Sequence, residues 1–173
     1  MPNNNFNRIT LTGMMGSGKT SIGKLLAKKV SLPFYDSDER IESKLNLNIS
    51  EIFSKYGEKK FRQEEVLICK ELLKKNEFIL ALGGGAILNK EIHKLMLDKT
   101  LSIWIKTNID VLFERLKNDK SRPLLNKVGL KKEIRKICSD RKQFYSKSDF
   151  CIENNDDDID EVVEKIILRI NKV

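Results

Sequence analysis

Gly13-Met14-Met15-Gly16-Ser17-Gly18-Lys19-Thr20 decides how the rest of this chain is read. The octapeptide matches G-x-x-x-x-G-K-[ST], a loop that cradles phosphate between a strand and a helix. Both flanks agree with it. Ile9-Thr10-Leu11-Thr12 is a short β-rich run, and Ile22, Leu25, Leu26 and Val30 recur at helical spacing. Gly13, Gly16 and Gly18 allow the backbone to pass close to phosphate oxygens with N–H groups turned inward. The helix beyond adds the partial positive charge of its N-terminus. Lys19 would reach the β- and γ-phosphates, and the Thr20 hydroxyl would ligate Mg²⁺. A glycine-rich turn that binds nothing is the alternative, and the matching flanks argue against it.

Working outward, the 173 residues suit one domain, 1–173, large enough for a core without covalent staples. Cys69, Cys138 and Cys151 are odd in number, widely spaced and without a C-x-x-C pair, so they read as reduced packing thiols of a cytoplasmic protein. No apolar run is long enough for a membrane span, and Met1-Pro2-Asn3-Asn4-Asn5 lacks the charged-then-apolar pattern of a secretion signal. The single His93, among lysines, reads as a surface residue. The net charge is +8, and residues 115–142 hold eleven Lys/Arg against three Asp/Glu, a surplus equal to the whole. Aromatic residues do not interleave these cations before Phe144 and Tyr145, which disfavours a nucleic-acid stacking platform. A cationic flap facing phosphate is the preferred reading over a solvated helical face.

Leu32-Pro33-Phe34-Tyr35-Asp36-Ser37-Asp38 reads as a second strand whose two acids share one face at its C-terminal end, where ligands of open α/β sheets collect. They could serve Mg²⁺ and a substrate hydroxyl, or simply cap the helix starting near Glu39. Residues 39–75 read as helices. Within them Arg62 and Glu65, at i and i+3, can pair; an arginine held so could grip a carboxylate, although spacing alone favours an ordinary surface ion pair. Phe78-Ile79-Leu80-Ala81-Leu82 is a buried strand ending in Gly83-Gly84-Gly85, a place for close ligand approach. Leu101–Ile105 is a further strand, with Trp104 in the core or at its rim. Pro123 breaks the helix carrying Arg115, and the charged loop around Arg122 reads as a lid over about 116–128. A helix over 131–145 carries Arg141, Phe150–Glu153 is the last strand, and Ile159 through Ile170 form an amphipathic core helix. Alternating strands and helices give a three-layer α/β/α sandwich with about five parallel strands.

In this order, the phosphate loop, Asp36-x-Asp38, Ile49-x-Glu51-Ile52-Phe53…Gly57-Glu58…Phe61-Arg62-x-x-Glu65, Gly83-Gly84-Gly85, Arg122-Pro123-Leu124-Leu125 and Arg141-x-x-x-Tyr145 resemble the shikimate kinase family over nearly the whole chain. The resemblance implies strand order 2-3-1-4-5, a P-loop NTPase fold with a mobile lid and a substrate-binding helical region over about 37–75. It implies transfer of the ATP γ-phosphate to the 3-hydroxyl of shikimate in aromatic amino-acid biosynthesis, by a cytoplasmic monomer needing neither nucleic acid nor membrane. It makes Lys19, Asp38 and Arg122 catalytic, with Asp38 orienting or deprotonating the hydroxyl. ATP would be held by Gly13 through Ser21 (Gly13, Met14, Met15, Gly16, Ser17, Gly18, Lys19, Thr20, Ser21) with Arg115 against adenine and Arg122 on the phosphoryl group. Mg²⁺ would sit by Thr20 and Asp36. Shikimate would meet Asp38, Phe53, Phe61, Gly83, Gly84, Gly85 and the carboxylate-binding Arg62 and Arg141, with Glu65 fixing Arg62. Two positions depart from the family: Ser148 replaces a usual alanine, and Asn154–Asp158 is acidic where many relatives are basic near adenine. A gluconate kinase or nucleoside monophosphate kinase is the rival enzyme, though the Asp-Gly-x-Pro-Arg signature expected of the adenylate kinase type is missing. A nucleotide-dependent nucleic-acid-binding module is the rival of another class.

Overall fold

A computed structural model describes residues 7–119, 129–155 and 158–172. Five parallel strands form one sheet in the order β2-β3-β1-β4-β5, as the resemblance implied. They are β1 (Arg8–Thr12), β2 (Phe34–Asp36), β3 (Phe78–Ala81), β4 (Leu101–Lys106) and β5 (Phe150–Glu153). The intervening helices are α1 (Lys19–Val30), α2 (Ser37–Leu45), α3 (Ile49–Leu73), α4 (Lys90–Lys99), α5 (Ile109–Leu116), α6 (Leu130–Tyr145) and α7 (Ile159–Ile170).

The period-two alternation of strand side chains divides the core in two. Ile9, Leu11, Ile79, Ile103 and Ile105 pack under α1 and α7 against Ile22, Leu26, Val163 and Ile166. Phe78, Leu80 and Leu82 face the other way, onto Ile68 and Leu72 of α3, Met96 of α4, Leu112 of α5 and Ile134 of α6. Buried on both faces, β3 has no polar side chain, which explains its unbroken apolar sequence.

The helix starts explain how the strand ends become a site. Asn48 and Glu51 form a reciprocal capping box at α3. Gly57 interrupts α3 with φ 78° and ψ 168°, so its two halves meet at a kink. Glu64, buried on α3, accepts from Lys44 of α2 at 2.8 Å and from Lys60 at 2.7 Å, bracing the pair. Those hydrogen bonds hold its pKa below the usual carboxylate range.

Two expectations need correction. His93 is buried: it follows Ile92 on the inward face of α4, and its ring meets Phe144 edge-on at 5.6 Å. Burial lowers its pKa. The second strand is shorter than its sequence suggested, ending at Asp36, so Asp38 lies in the first turn of α2. Asp36, not Asp38, is the cap, accepting from Asp38 N at 2.9 Å and Glu39 N at 3.3 Å. All three cysteines are free, with Cys69 buried, Cys138 half-buried and Cys151 exposed. Among the described residues no helix is long and apolar enough to cross a membrane.

Candidate active site

Two adjoining clefts open at the C-terminal ends of the strands. The larger, about 1240 Å³, is lined by Met15, Gly16, Gly18, Lys19, Thr20, Ser21, Asp36, Asp38 and Arg115, with Gly83 and Gly84 on its far side. The smaller, about 440 Å³, is lined by Asp38, Phe53, Phe61, Arg62, Glu65, Gly84, Gly85 and Arg141. Met15, Ile49, Asp38 and Gly84 belong to both. Asp38 therefore stands at the seam.

The phosphate loop is tied down through its carbonyls. Lys19 Nζ donates to Gly13 O at 2.9 Å and to Met14 O at 2.8 Å, Arg115 donates to Gly16 O at 3.2 Å, and Asn154 Nδ2 donates to Ser17 O at 2.8 Å. Gly13 has φ +140°, and a Cβ there would lie 2.4 Å from the backbone oxygen of Ile105. Ser17 is wholly buried and Met14 is buried against Tyr145, so their side chains line neither cleft, whereas Met15 lines both. Thr20 donates its hydroxyl to Asp36 Oδ2 at 2.6 Å. The two Asp36 oxygens thus divide their work between the loop and the α2 cap.

On the other side the glycine triplet is a floor shaped by absent side chains. A Cβ on Gly83 would lie 2.6 Å from Asp38 Oδ1, and one on Gly85 2.7 Å from Arg62 Nη1. Gly84 offers its carbonyl to Arg141 Nη1 at 2.9 Å and to Tyr145 Oη at 2.7 Å. Burial pushes the Tyr145 phenol up to about 12, so it stays protonated and donating. Ser37 Oγ accepts from Gly83 N at 2.8 Å. Ser37 was missed in sequence; its place between Asp36 and Asp38 was the available signal.

Arg62 donates to Glu65 Oε2 at 2.7 Å and to Glu58 Oε1 at 3.3 Å. Burial opposes its charge, yet these two carboxylates outweigh burial and hold its pKa above the usual value. Glu65 is itself buried, which pushes its pKa up against the pull of Arg62. This pair is no surface ion pair: Glu65 is enclosed while Arg62 stays partly open to the cleft. Phe53 and Phe61 pack beside it, with ring centroids 4.9 Å apart and planes tilted by 44°. Arg141, 7% exposed, completes a pair of guanidinium groups in one small cleft.

Of the expected site residues, the loop, Ser21, Asp36, Asp38, Arg115, Phe53, Phe61, Arg62, Glu65, the three glycines and Arg141 come together. Arg122, with residues 120–128 of the lid expected over about 116–128, lies outside the described residues. Arg115 and Arg141 are the described cations of the basic stretch that line the two clefts. Lys131, Lys132, Arg135, Lys136 and Lys142 on α6 are exposed, so this part of the expected flap is a solvated helical face.

The shikimate kinase family profile matches residues 15–171. The chain belongs to the shikimate kinase family. It is 42% identical over 165 residues to the shikimate kinase of Thermodesulfovibrio yellowstonii, covering 95% of each chain. It is 39% identical over 162 residues to that of Zymomonas mobilis, covering 94% of this chain and 92% of the other. A solved shikimate kinase from Acinetobacter baumannii in complex with shikimate superposes with a TM-score of 0.93 at 31% identity, over 98% of this chain and 95% of that one. Shikimate kinase family membership makes the chain an ATP-dependent kinase, a phosphotransferase acting on a hydroxyl group, in aromatic amino-acid biosynthesis. It decides against the gluconate and nucleoside monophosphate kinase alternatives.

Proposed function

We propose that the smaller cleft binds shikimate, that the larger binds ATP with Mg²⁺, and that the γ-phosphate passes to the 3-hydroxyl at their seam. The observation that carries this reading is the position of Asp38, shared by a cleft with two guanidinium groups and a cleft floored by the phosphate loop.

Arg62 and Arg141 offer fork-shaped donors suited to a carboxylate, and Glu65 with Glu58 keeps Arg62 charged and aimed. Phe53 and Phe61 close over the ring, and Gly83 to Gly85 let it approach the backbone. Asp38 then accepts the hydrogen bond of the attacking hydroxyl and takes its proton as the new O–P bond forms and the bond from the γ-phosphorus to the bridging oxygen breaks, releasing ADP. Lys19 and the N–H groups of the loop, with Met15 and Ser21 beside them, face the β- and γ-phosphates, and Arg115 lies against adenine. The Thr20 hydroxyl and the Asp36 carboxylate are two oxygens at the edge of this cradle, a sparse donor set that suits a small hard cation retaining several waters. Mg²⁺ held there would neutralise phosphate charge. From the lid, Arg122 supplies positive charge to the transferring group.

Phosphoryl transfer needs little covalent help; positioning and charge stabilisation dominate it. The site is built for both. Coupled-assay turnover of shikimate, gluconate and AMP tests the reading. Shikimate alone should be turned over efficiently, and preference for either other acceptor contradicts it. The chain is expected to act in the cytoplasm as a monomer, and light scattering of the pure protein checks the monomeric state.

A further inference from the structure

Asn154 follows the last residue of β5 and is 3% exposed, although nothing in its chemistry favours burial. Its backbone N–H continues the sheet by donating to Lys106 O at 2.8 Å. Its side chain reaches across the molecule, 137 residues away in sequence, and gives Nδ2 to the carbonyl of Ser17 at 2.8 Å. The amide orientation follows from the partner: a carbonyl can only accept, so Nδ2 must face it. Oδ1 is buried with no partner among the described residues. A buried amide that satisfies one end and forfeits the other costs stability. The contact it retains is with the phosphate loop. Gly18 accommodates it, since a Cβ there would lie 2.6 Å from Asn154 Nδ2.

The consequence follows from the planar trans peptide, in which the C=O of one residue and the N–H of the next point in opposite directions. Holding the Ser17 carbonyl on Asn154 turns the Gly18 N–H the opposite way, away from Asn154. Gly18 is the residue at the N-terminus of α1, with φ 91°, and it lines the larger cleft. We propose that Asn154 is a positioning residue for the nucleotide: by holding the Ser17 carbonyl it aims the Gly18 N–H at the bound phosphates. This rests on the larger cleft being the ATP site.

ADP binding to the full chain, measured by titration calorimetry, tests it with Asn154→Leu and Asn154→Asp. Leucine removes the donor at similar volume; aspartate replaces it with an acceptor facing a carbonyl. Each should weaken ADP by about tenfold, the worth of one hydrogen bond to a charged group, and raise KM for ATP alike, with KM for shikimate unchanged. A buried carboxyl beside a carbonyl titrates high, and once protonated it can donate to Ser17. Relative to wild type at the same pH, the Asn154→Asp deficit should therefore shrink between pH 8 and pH 6, and the Asn154→Leu deficit should not. A purely structural role would lower Tm and leave this pH difference absent. Wild-type ADP affinity in both variants, parallel loss of ADP and shikimate affinity, or a pH-independent Asn154→Asp deficit would each overturn the proposal. If Asn154→Leu does not fold, the pH arm of Asn154→Asp decides alone. Because the primary readout is ADP affinity, it is informative even if the wild-type chain leaves shikimate unphosphorylated, an outcome that would count against the shikimate reading only.

Discussion

Gly85→Ala is the most discriminating single-methyl change available in this site. The backbone at Gly85 has φ −96° and ψ −18°, which alanine adopts without strain, so the methyl acts only through what it touches. That is the Arg62 guanidinium, with Nη1 at 2.7 Å, Nη2 at 3.0 Å and Cζ at 3.2 Å from the added Cβ. Carbon and nitrogen need well over 3 Å, so the flexible end of Arg62 must move and the backbone need not. Moving it breaks the aim set by Glu65 at 2.7 Å. Stability should barely change, since a compatible Gly→Ala substitution contributes about 0.4–1 kcal/mol through the unfolded chain and offsets a strained contact with the movable end of Arg62. Binding should suffer more. Losing one well-aimed hydrogen bond to a charged carboxylate costs about 1.5–3 kcal/mol, which is about 10- to 150-fold in affinity. A pyruvate kinase–lactate dehydrogenase coupled assay should show KM for shikimate raised by that factor, with KM for ATP within about twofold of wild type. Two residues away, Gly83→Ala places its methyl 2.6 Å from Asp38 Oδ1 and should lower kcat instead. An unchanged shikimate KM in Gly85→Ala, or identical kinetic profiles for the two variants, would refute the division of labour along the triplet.

Arg122→Ala should lower kcat by about 10³-fold or more while leaving ATP affinity nearly intact, because a transition-state arginine acts on charge that develops late; wild-type kcat removes it from the site. Glu65→Gln should raise KM for shikimate at pH 7. In the wild type that KM should rise as pH falls through the raised Glu65 pKa, since protonation frees Arg62, whereas the glutamine variant should be flat over the same range. The stability sign is opposite: burial raises this carboxyl's pKa above its unfolded value, so its stabilising share is full at low pH and lost as pH rises through the folded pKa. Thermal melts at pH 7 should accordingly find Glu65→Gln no less stable than wild type. Gly13→Ala combines φ +140° with a 2.4 Å clash on the Ile105 carbonyl and should cost about 2–5 kcal/mol, read as a Tm drop of about 5–15 °C. A wild-type melt would mean the loop relaxes freely.

What could be read in advance was whatever a local pattern dictates. The Lys19–Val30 helix, the all-apolar Phe78–Ala81 strand and the Ile159–Ile170 stripe follow from period and burial, and the loop at Gly13–Thr20 follows from its own glycines. Asp38 shows where such reasoning stops. Two-residue spacing put it on a strand, but Asp36 caps the next helix and ends the strand first, a competition between neighbours that periodicity does not resolve. Arg62 and Glu65 show a different limit. Their i, i+3 spacing marks a pair, while the burial that makes the pair useful comes from residues far away in sequence. His93 and Asn154 failed similarly: each has a polar side chain in a polar stretch, and only tertiary packing encloses it.

The central claim is that Asp38 stands where an acid's hydroxyl and the end of a triphosphate meet. A crystal structure with shikimate and ADP bound tests it most directly. The shikimate carboxylate is expected between Arg62 and Arg141, its 3-hydroxyl roughly 2.6–3.2 Å from the Asp38 carboxylate, and the ADP phosphates on the loop from Gly13 to Thr20. Shikimate found outside the smaller cleft, or bound there with its hydroxyls turned away from Asp38, would contradict it.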